Sequence, residues 1–434
     1  MTSGVLPAAE RTIIERFRSG IGWNVLGAAS MQGSAFVANL LLARILGRHN
    51  FGEFSIIQST LLTLAGVGQI ATGITAAKFV AENRVVHKRI AGDVIGMCAA
   101  LTLSTGVLGA ALLLIFAPWI AADFLKMAEL RSGLTVAAGA SLFLTMNGFQ
   151  LGALAGLESF RKTAAVSIIV GCLHVMACVL GGWAGGTRGA LWGLLLSSIA
   201  RWVCFEKLLH RESLLQGIFV SWSGWRRQKS IFYKFAIPAA VSGFSSMPAL
   251  WLVTAMLARQ PNGYDQLALY SAAYQLKSVA ILLPSMFNNV GMALLNHQRG
   301  IQNAVGYRRA FWFNVSVGSI AAATFAVVIA IIGKWLLAMY GPAFVGAYGP
   351  LLILLCAALF EGVATGAFQA VQSKGRMWRA FWIVAFPRDL LLVACAFVLV
   401  GRYGAVGLAS SYSVAWIAGS LIAILYAYRT GLAI

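Results

Sequence analysis

Long apolar stretches recur along the whole chain, separated by short polar segments. Each stretch has the roughly 20 residues that a helix needs to cross the hydrocarbon core of a bilayer. The pattern predicts twelve spans, near 21–45, 52–80, 92–117, 134–157, 164–184, 189–207, 235–258, 267–295, 310–333, 349–371, 380–400 and 404–427. Two of them are the least regular: the sixth contains Arg201, and the eleventh contains Pro387-Arg388-Asp389. The longest polar segment, 208–234, separates six spans from six. The expected organisation is an N-terminal segment (1–20), a first helical unit (21–207), a basic linker (208–234), a second helical unit (235–428) and a short tail (429–434). The predicted class is an all-α polytopic membrane protein.

Composition agrees with this pattern. Of the 434 residues, 59% are hydrophobic and 11% charged, against about a quarter charged in soluble domains. The formal charge of +20 is spread over short segments between spans, so nucleic acid is not an expected partner. It reads instead as a topology signal, because lysine and arginine gather in cytoplasmic loops. With a cytoplasmic N-terminus, 22 of the 33 basic residues, Arg201 counted among them, fall in inner segments and 8 in outer ones; Lys78, Lys277 and Arg388 lie within spans. Both termini are therefore expected in the cytoplasm. The linker, with Trp222, Trp225 and several basic residues, is expected to lie as a helix on the anionic inner leaflet.

Other chemistries find little support. The six cysteines all fall in apolar segments without a Cys-x-x-Cys pair, so no metal site or disulfide framework is expected. Residues 1–20 have no apolar core ending in a cleavage site, so no signal peptide is read there. No Gly-x-x-x-x-Gly-Lys-Ser/Thr loop occurs. No nucleotide, other cofactor or catalytic residue is expected.

The two halves look related. Gly148-Phe149-Gln150-Leu151-Gly152-Ala153 in span four corresponds to Gly362-Val363-Ala364-Thr365-Gly366-Ala367 in span ten. Phe54-Ser55 in span two corresponds to Tyr270-Ser271 in span eight. The separations, 214 and 216 residues, agree to within two residues. Glycines one helical turn apart permit close helix approach. Six spans per repeat preserve orientation, so the halves are expected to be parallel repeats.

A charge inside a span costs a few kcal/mol on insertion scales, and it faces a cavity or a partner. Lys277, eleven residues into span eight, is the leading candidate for a cavity-facing, anion-attracting group. Lys78 and Arg44 stand nearer opposite ends of their spans. Arg388 and Asp389 are adjacent and point about 100° apart on a helix, so each is expected to find its own partner. Glu361, in span ten, is a candidate ion-coupling carboxylate and a candidate partner of Lys277 or Arg388, and the two roles are not exclusive. Asp389 is a second coupling candidate.

Several short motifs point to a family. They are Ala43-Arg44-Ile45-Leu46-Gly47, Phe51-Gly52-Glu53-Phe54-Ser55, Phe79-Val80-Ala81-Glu82, Ile237-Pro238 and Leu269-Tyr270-Ser271-Ala272-Ala273-Tyr274. On these residues the chain resembles the Wzx-type polysaccharide flippases of the multidrug/oligosaccharidyl-lipid/polysaccharide exporter superfamily. It departs at Arg48-His49-Asn50, where many relatives carry proline or acidic residues. The resemblance implies two parallel-related six-helix bundles around a central cavity, working by alternating access in the bacterial inner membrane. It implies a cargo of undecaprenyl-diphosphate-linked oligosaccharide repeat units, moved from the inner to the outer leaflet for exopolysaccharide or O-antigen synthesis. Implied partners are this lipid-linked cargo, membrane lipids, and polysaccharide polymerase and chain-length proteins. Under this reading Lys277, Arg388, Lys78 and Arg44 are the candidates for the anionic head, with Glu361 and Asp389 for ion coupling. Two alternatives are weighed. A multidrug cation antiporter of the same superfamily would use Glu361 or Asp389. A membrane glycosyltransferase or polymerase would need larger outer loops than the roughly 16-residue ones at 118–133 and 334–348.

Overall fold

The computed structural model describes residues 8–237, 240, 246–300, 304–373 and 377–429. Pro238, used above, lies outside them. Helices dominate because most side chains suit lipid and a backbone there must satisfy itself. The long helices are α1 (Ala8–Gly68), α2 (Thr72–Asn83), α3 (Lys88–Trp119), α4 (Leu130–Gly156), α5 (Phe160–Leu215), α6 (Ser246–Ala258), α7 (Gly263–Gly300), α8 (Ala304–Tyr340), α9 (Tyr348–Ser373) and α10 (Phe386–Arg429).

Seven helical stretches among the described residues are long and apolar enough to cross a membrane. Three of them, Gly22–Asn83, Phe160–Leu215 and Phe381–Tyr426, are bent by non-helical glycines at Gly47, Gly185–Gly186 and Gly404, and each supplies two passages. The shorter α6 and the more polar α7 bring the total to twelve. Glycine suits these bends because Gly47, Gly186 and Gly404 have positive φ of 74°, 58° and 54°. The three bends share one end of the molecule, here called the kink face. The opposite end, which carries the segment between α5 and α6, is the linker face.

Spans one to six pack as one bundle, through α1 on α5 and α4 on α2, α3 and α5; α7 to α10 form the other with α6. The glycines of span four do what their spacing predicted. A methyl group at Gly152 would collide with the Gly73 carbonyl, and one at Gly156 would press on Val80. In span ten, Gly362 faces Gly318 and Ala322 at ordinary contact distance.

The bundles meet mainly along α1, which touches α6, α7 and α8. Arg48 pairs with Asp265 at 2.9 Å, His49 packs edge-on against Tyr264, and Phe51 meets Phe344. A side chain at Gly52 would overlap the Tyr264 carbonyl. Further in, Trp251 Nε1 donates to Thr60 Oγ1 at 2.8 Å and Gln275 Nε2 to the Ala35 carbonyl at 3.3 Å. Toward the linker face, Met247 packs against Gly66, and Lys78 and Phe79 lie against Phe235.

Two elements differ from the sequence expectation. Span two is not one helix: α1 ends at Gly68 and α2 starts at Thr72, with Ile70 and Ala71 at positive φ of 41° and 52°. Such backbone is strained for residues with a Cβ, and a break inside a membrane frees carbonyls. Side-chain hydroxyls answer this, Thr105 Oγ1 donating to the Gly68 carbonyl at 2.6 Å and Thr72 Oγ1 to that of Gln69 at 2.6 Å. The linker is also not one surface helix. Span six continues to Leu215, and only the short turns Gly224–Arg227 and Lys229–Ile231 follow. The strap is held on α3, where Ser221 N–H donates to the Gly92 carbonyl and Arg227 pairs with buried Asp93 at 3.0 Å. Trp222 and Trp225 remain exposed, as a headgroup-level segment requires.

Candidate functional site

The charges inside the second half share one level. Counted from the kink-face end of each helix, Lys277 is 14 residues beyond Gly263, Glu361 is 13 beyond Tyr348, and Asp389 and Arg388 are 15 and 16 from Gly404. At 1.5 Å per residue this is roughly 20–24 Å along each helix. Five helical passages, from α6 to α10, converge there.

Lys277 is buried, with only 2% of its side chain exposed, and it pairs with Glu361 of α9. Its Nζ donates to the Tyr412 hydroxyl at 2.8 Å, and that hydroxyl donates to Glu361 Oε2 at 3.1 Å. The ammonium also lies over the rings of Tyr274 and Tyr412, 5.1 and 4.6 Å from their centroids. A ring face attracts a cation most where water is excluded. Lys277 is therefore packed and paired, not a bare cation facing a cavity. Of the two roles weighed for Glu361, the geometry realises partnership with Lys277.

Arg388 and Asp389 correct the expectation that neighbours cannot pair. Arg388 Nε and Nη2 both donate to Asp389 Oδ1, at 2.9 and 2.7 Å. Ser246 of α6 closes the triangle: its hydroxyl accepts from Arg388 Nη2 at 2.5 Å and donates to Asp389 Oδ2 at 3.1 Å. Two circumstances permit this. The preceding Phe381–Ala385 turn is a π-helix, which sets the rotation of the helix that carries both residues. The arginine stem is also long enough to curl back, and its guanidinium stacks 4.2 Å from the Trp416 ring. Trp416 in turn packs on Tyr412. One aromatic and hydroxyl chain thus links the two ion pairs.

Lys78 and Arg44 do not join this centre. Both are exposed; Lys78 sits over Phe79 and Phe235 toward the linker face. Sequence reasoning missed Tyr274, Tyr412, Trp416 and Ser246. The spacing Tyr270-Tyr274-Lys277, and Tyr412 followed one turn later by Trp416, was a usable signal.

The first half builds a different polar core. Gln150 donates to Glu206 Oε2 at 2.7 Å and Asn147 donates to Gln150 at 3.1 Å. His174 and Ser197 are 2.9 Å apart. Arg201 stands 14 residues beyond Thr187, the first residue after the α5 bend. It belongs to the membrane level of Lys277, not to the inner segment in which the topology count placed it. Beside the seam lies an apolar groove of about 440 Å³, lined by Thr60, Leu64, Leu112, Phe116, Trp119 and Trp251.

Comparison with known proteins places this architecture. The "EPS I polysaccharide export inner membrane protein EpsE" of Ralstonia nicotianae is 23% identical over 417 residues, covering 93% of this chain and 92% of the relative. Two solved multidrug resistance MATE family transporters of the MOP superfamily share the fold. The inward-facing one superposes with a TM-score of 0.75 at 14% identity, covering 94% of this chain and 98% of the other. The outward-facing one gives 0.66 at 16% identity, covering 95% and 96%. These relatives are transporters, which sets aside the glycosyltransferase reading and describes a multi-pass membrane exporter. Residues 17–295 match the family described as "Polysaccharide biosynthesis protein", and the chain belongs to that family.

Proposed function

We propose that the protein is a flippase for lipid-linked oligosaccharides. It moves undecaprenyl-diphosphate-linked repeat units from the inner to the outer leaflet of the bacterial inner membrane by alternating access, feeding a polymerase and chain-length proteins outside. The observation that carries this reading is the seam. The halves are latched at the kink face by Arg48–Asp265, His49–Tyr264 and Phe51–Phe344. With both termini and the linker cytoplasmic, as the basic-residue bias supports, the latch closes the outer end, as an inward-facing state requires. The better superposition on the inward-facing neighbour agrees. A polar head enters between the halves, while its polyprenyl tail stays in lipid or in the apolar groove beside Trp251. Lys277, Arg388, Lys78 and Arg44 remain proposed head-group contacts, the first two after their ion pairs open; Lys78 and Arg44 lie nearer the two mouths. Glu361 and Asp389 are the proposed coupling carboxylates, since protonating either frees its cation.

The test is genetic and chemical. Deleting the protein should stall one surface polysaccharide at its lipid-linked stage, with repeat units accumulating on the cytoplasmic side. Lys277→Ala or Arg388→Ala at normal protein level should reproduce the block. Normal polysaccharide in the deletion strain overturns the function; normal polysaccharide in both variants overturns the site. The multidrug reading predicts drug hypersensitivity of the deletion strain instead. It is disfavoured because both candidate coupling carboxylates already pair with cations of the protein itself.

A further inference from the structure

Of the five charges at the common level, four are matched in pairs and Arg201 is not. Among the described residues its guanidinium has no ion-pair or hydrogen-bond partner, and its Nε is buried without an acceptor. The residue as a whole is only partly buried, so the outer end of the guanidinium is the accessible part. The nearest acid on the same helix, Glu206, is more than one turn away and accepts from Gln150. One turn before Arg201, Ser197 meets His174, which adds hydrogen-bonding groups without adding negative charge. The neighbouring Trp202 Nε1 is a second buried N–H donor that lacks an acceptor. Two donors without acceptors, one of them charged, are out of place in a membrane interior unless something else completes them.

We infer that Arg201 is the anion-binding residue of the first half, and that its counter-ion is the phosphate of the cargo head. This rests on the lipid-linked reading above. A guanidinium offers a planar fork that matches phosphate oxygens in two-point contact. In the second half every guanidinium or ammonium at this level must first leave a carboxylate. Arg201 needs no such exchange, so it is the first cation that an entering diphosphate meets at this depth.

The experiment uses the full-length protein in zwitterionic phosphatidylcholine nanodiscs. Binding is measured for three probes: a polyprenyl diphosphate, the uncharged polyprenol and inorganic diphosphate. The wild type should bind the polyprenyl diphosphate at least tenfold more tightly than the polyprenol. Arg201→Ala should weaken the diphosphate lipid tenfold or more and leave polyprenol unchanged, and Arg201→Lys should recover part of the loss. Without ligand, Arg201→Leu should melt at the wild-type temperature or above, because an unmatched charge is removed. A structural arginine would give the opposite sign. Binding by Arg201→Ala within twofold of wild type overturns the assignment, as does a lower melting temperature with equal loss for both lipids. Inorganic diphosphate binding as tightly as the lipid assigns the site to a free anion and overturns the head-group assignment. A wild type blind to the diphosphate lipid overturns this inference together with the flippase reading, whereas the Arg201 results alone leave that reading standing.

Discussion

At one depth in the membrane the second half sets Lys277 against Glu361 and Arg388 against Asp389, with Tyr412, Trp416 and Ser246 tying the pairs together. The first half places Arg201 at the same depth, where it has no carboxylate partner among the described residues. Sequence repeats put comparable helices in both places, but the chemistry they carry has diverged. A matched pair is insulated from an incoming anion by its own counter-ion. An unmatched guanidinium is not. A charged residue inside a span is therefore ambiguous until its neighbours are known.

The contrast can be broken most sharply at Glu361. Glu361→Gln leaves Lys277 buried with its charge and no carboxylate, which should cost about 3–5 kcal/mol and appear as a large fall in melting temperature in detergent. Adding Lys277→Met to the same protein should restore much of it. An unchanged melting temperature for Glu361→Gln would remove the pairing argument. Arg388→Ala should cost less, about 2–3 kcal/mol, since Ser246 still donates to Asp389; thermal unfolding on the same scale orders the two. Tyr412→Phe deletes one hydroxyl shared by Lys277 and Glu361 and should cost about 1.5 kcal/mol, with the ion pair intact. The smallest effect on stability belongs to the seam. Arg48 and Asp265 are partly exposed, so Arg48→Ala should cost under about 1 kcal/mol. It should nonetheless loosen the latch. A cysteine replacing Thr254, which meets Ser59 across the seam, should then react faster with a membrane-impermeant thiol reagent added from outside. Equal rates would show that the latch lies elsewhere.

Much of the fold could be read from the chain. Apolar runs fix the passages because the length of a membrane helix is set by the bilayer, and the Gly148–Gly152 spacing anticipated close packing against Gly73. The break at Gln69–Ala71 could not be read, since nothing in its apolar sequence announces that Thr105 waits opposite to satisfy Gly68. For the site, Lys277, Glu361, Arg388 and Asp389 were visible as misplaced charges. Their pairing was not, because it depends on helix rotation and on how the π-turn before Phe386 turns two neighbours toward Ser246. Arg201 was visible too, but a count of loop charges absorbed it.

The common depth of these charges has an electrical consequence. In the proposed flippase cycle, tilting of the second half would move its two cations and two carboxylates together, and their displacement through the membrane field would cancel. The first half carries one elementary charge that does not cancel among the described residues. A membrane potential does about 2.3 kcal/mol of work per elementary charge per 100 mV. With the cell interior negative, an anionic head moving outward is driven by that field. Each charge neutralised by Arg201 on the way reduces the drive. The voltage dependence of export therefore reports how many of the cargo's charges the protein masks at mid-membrane.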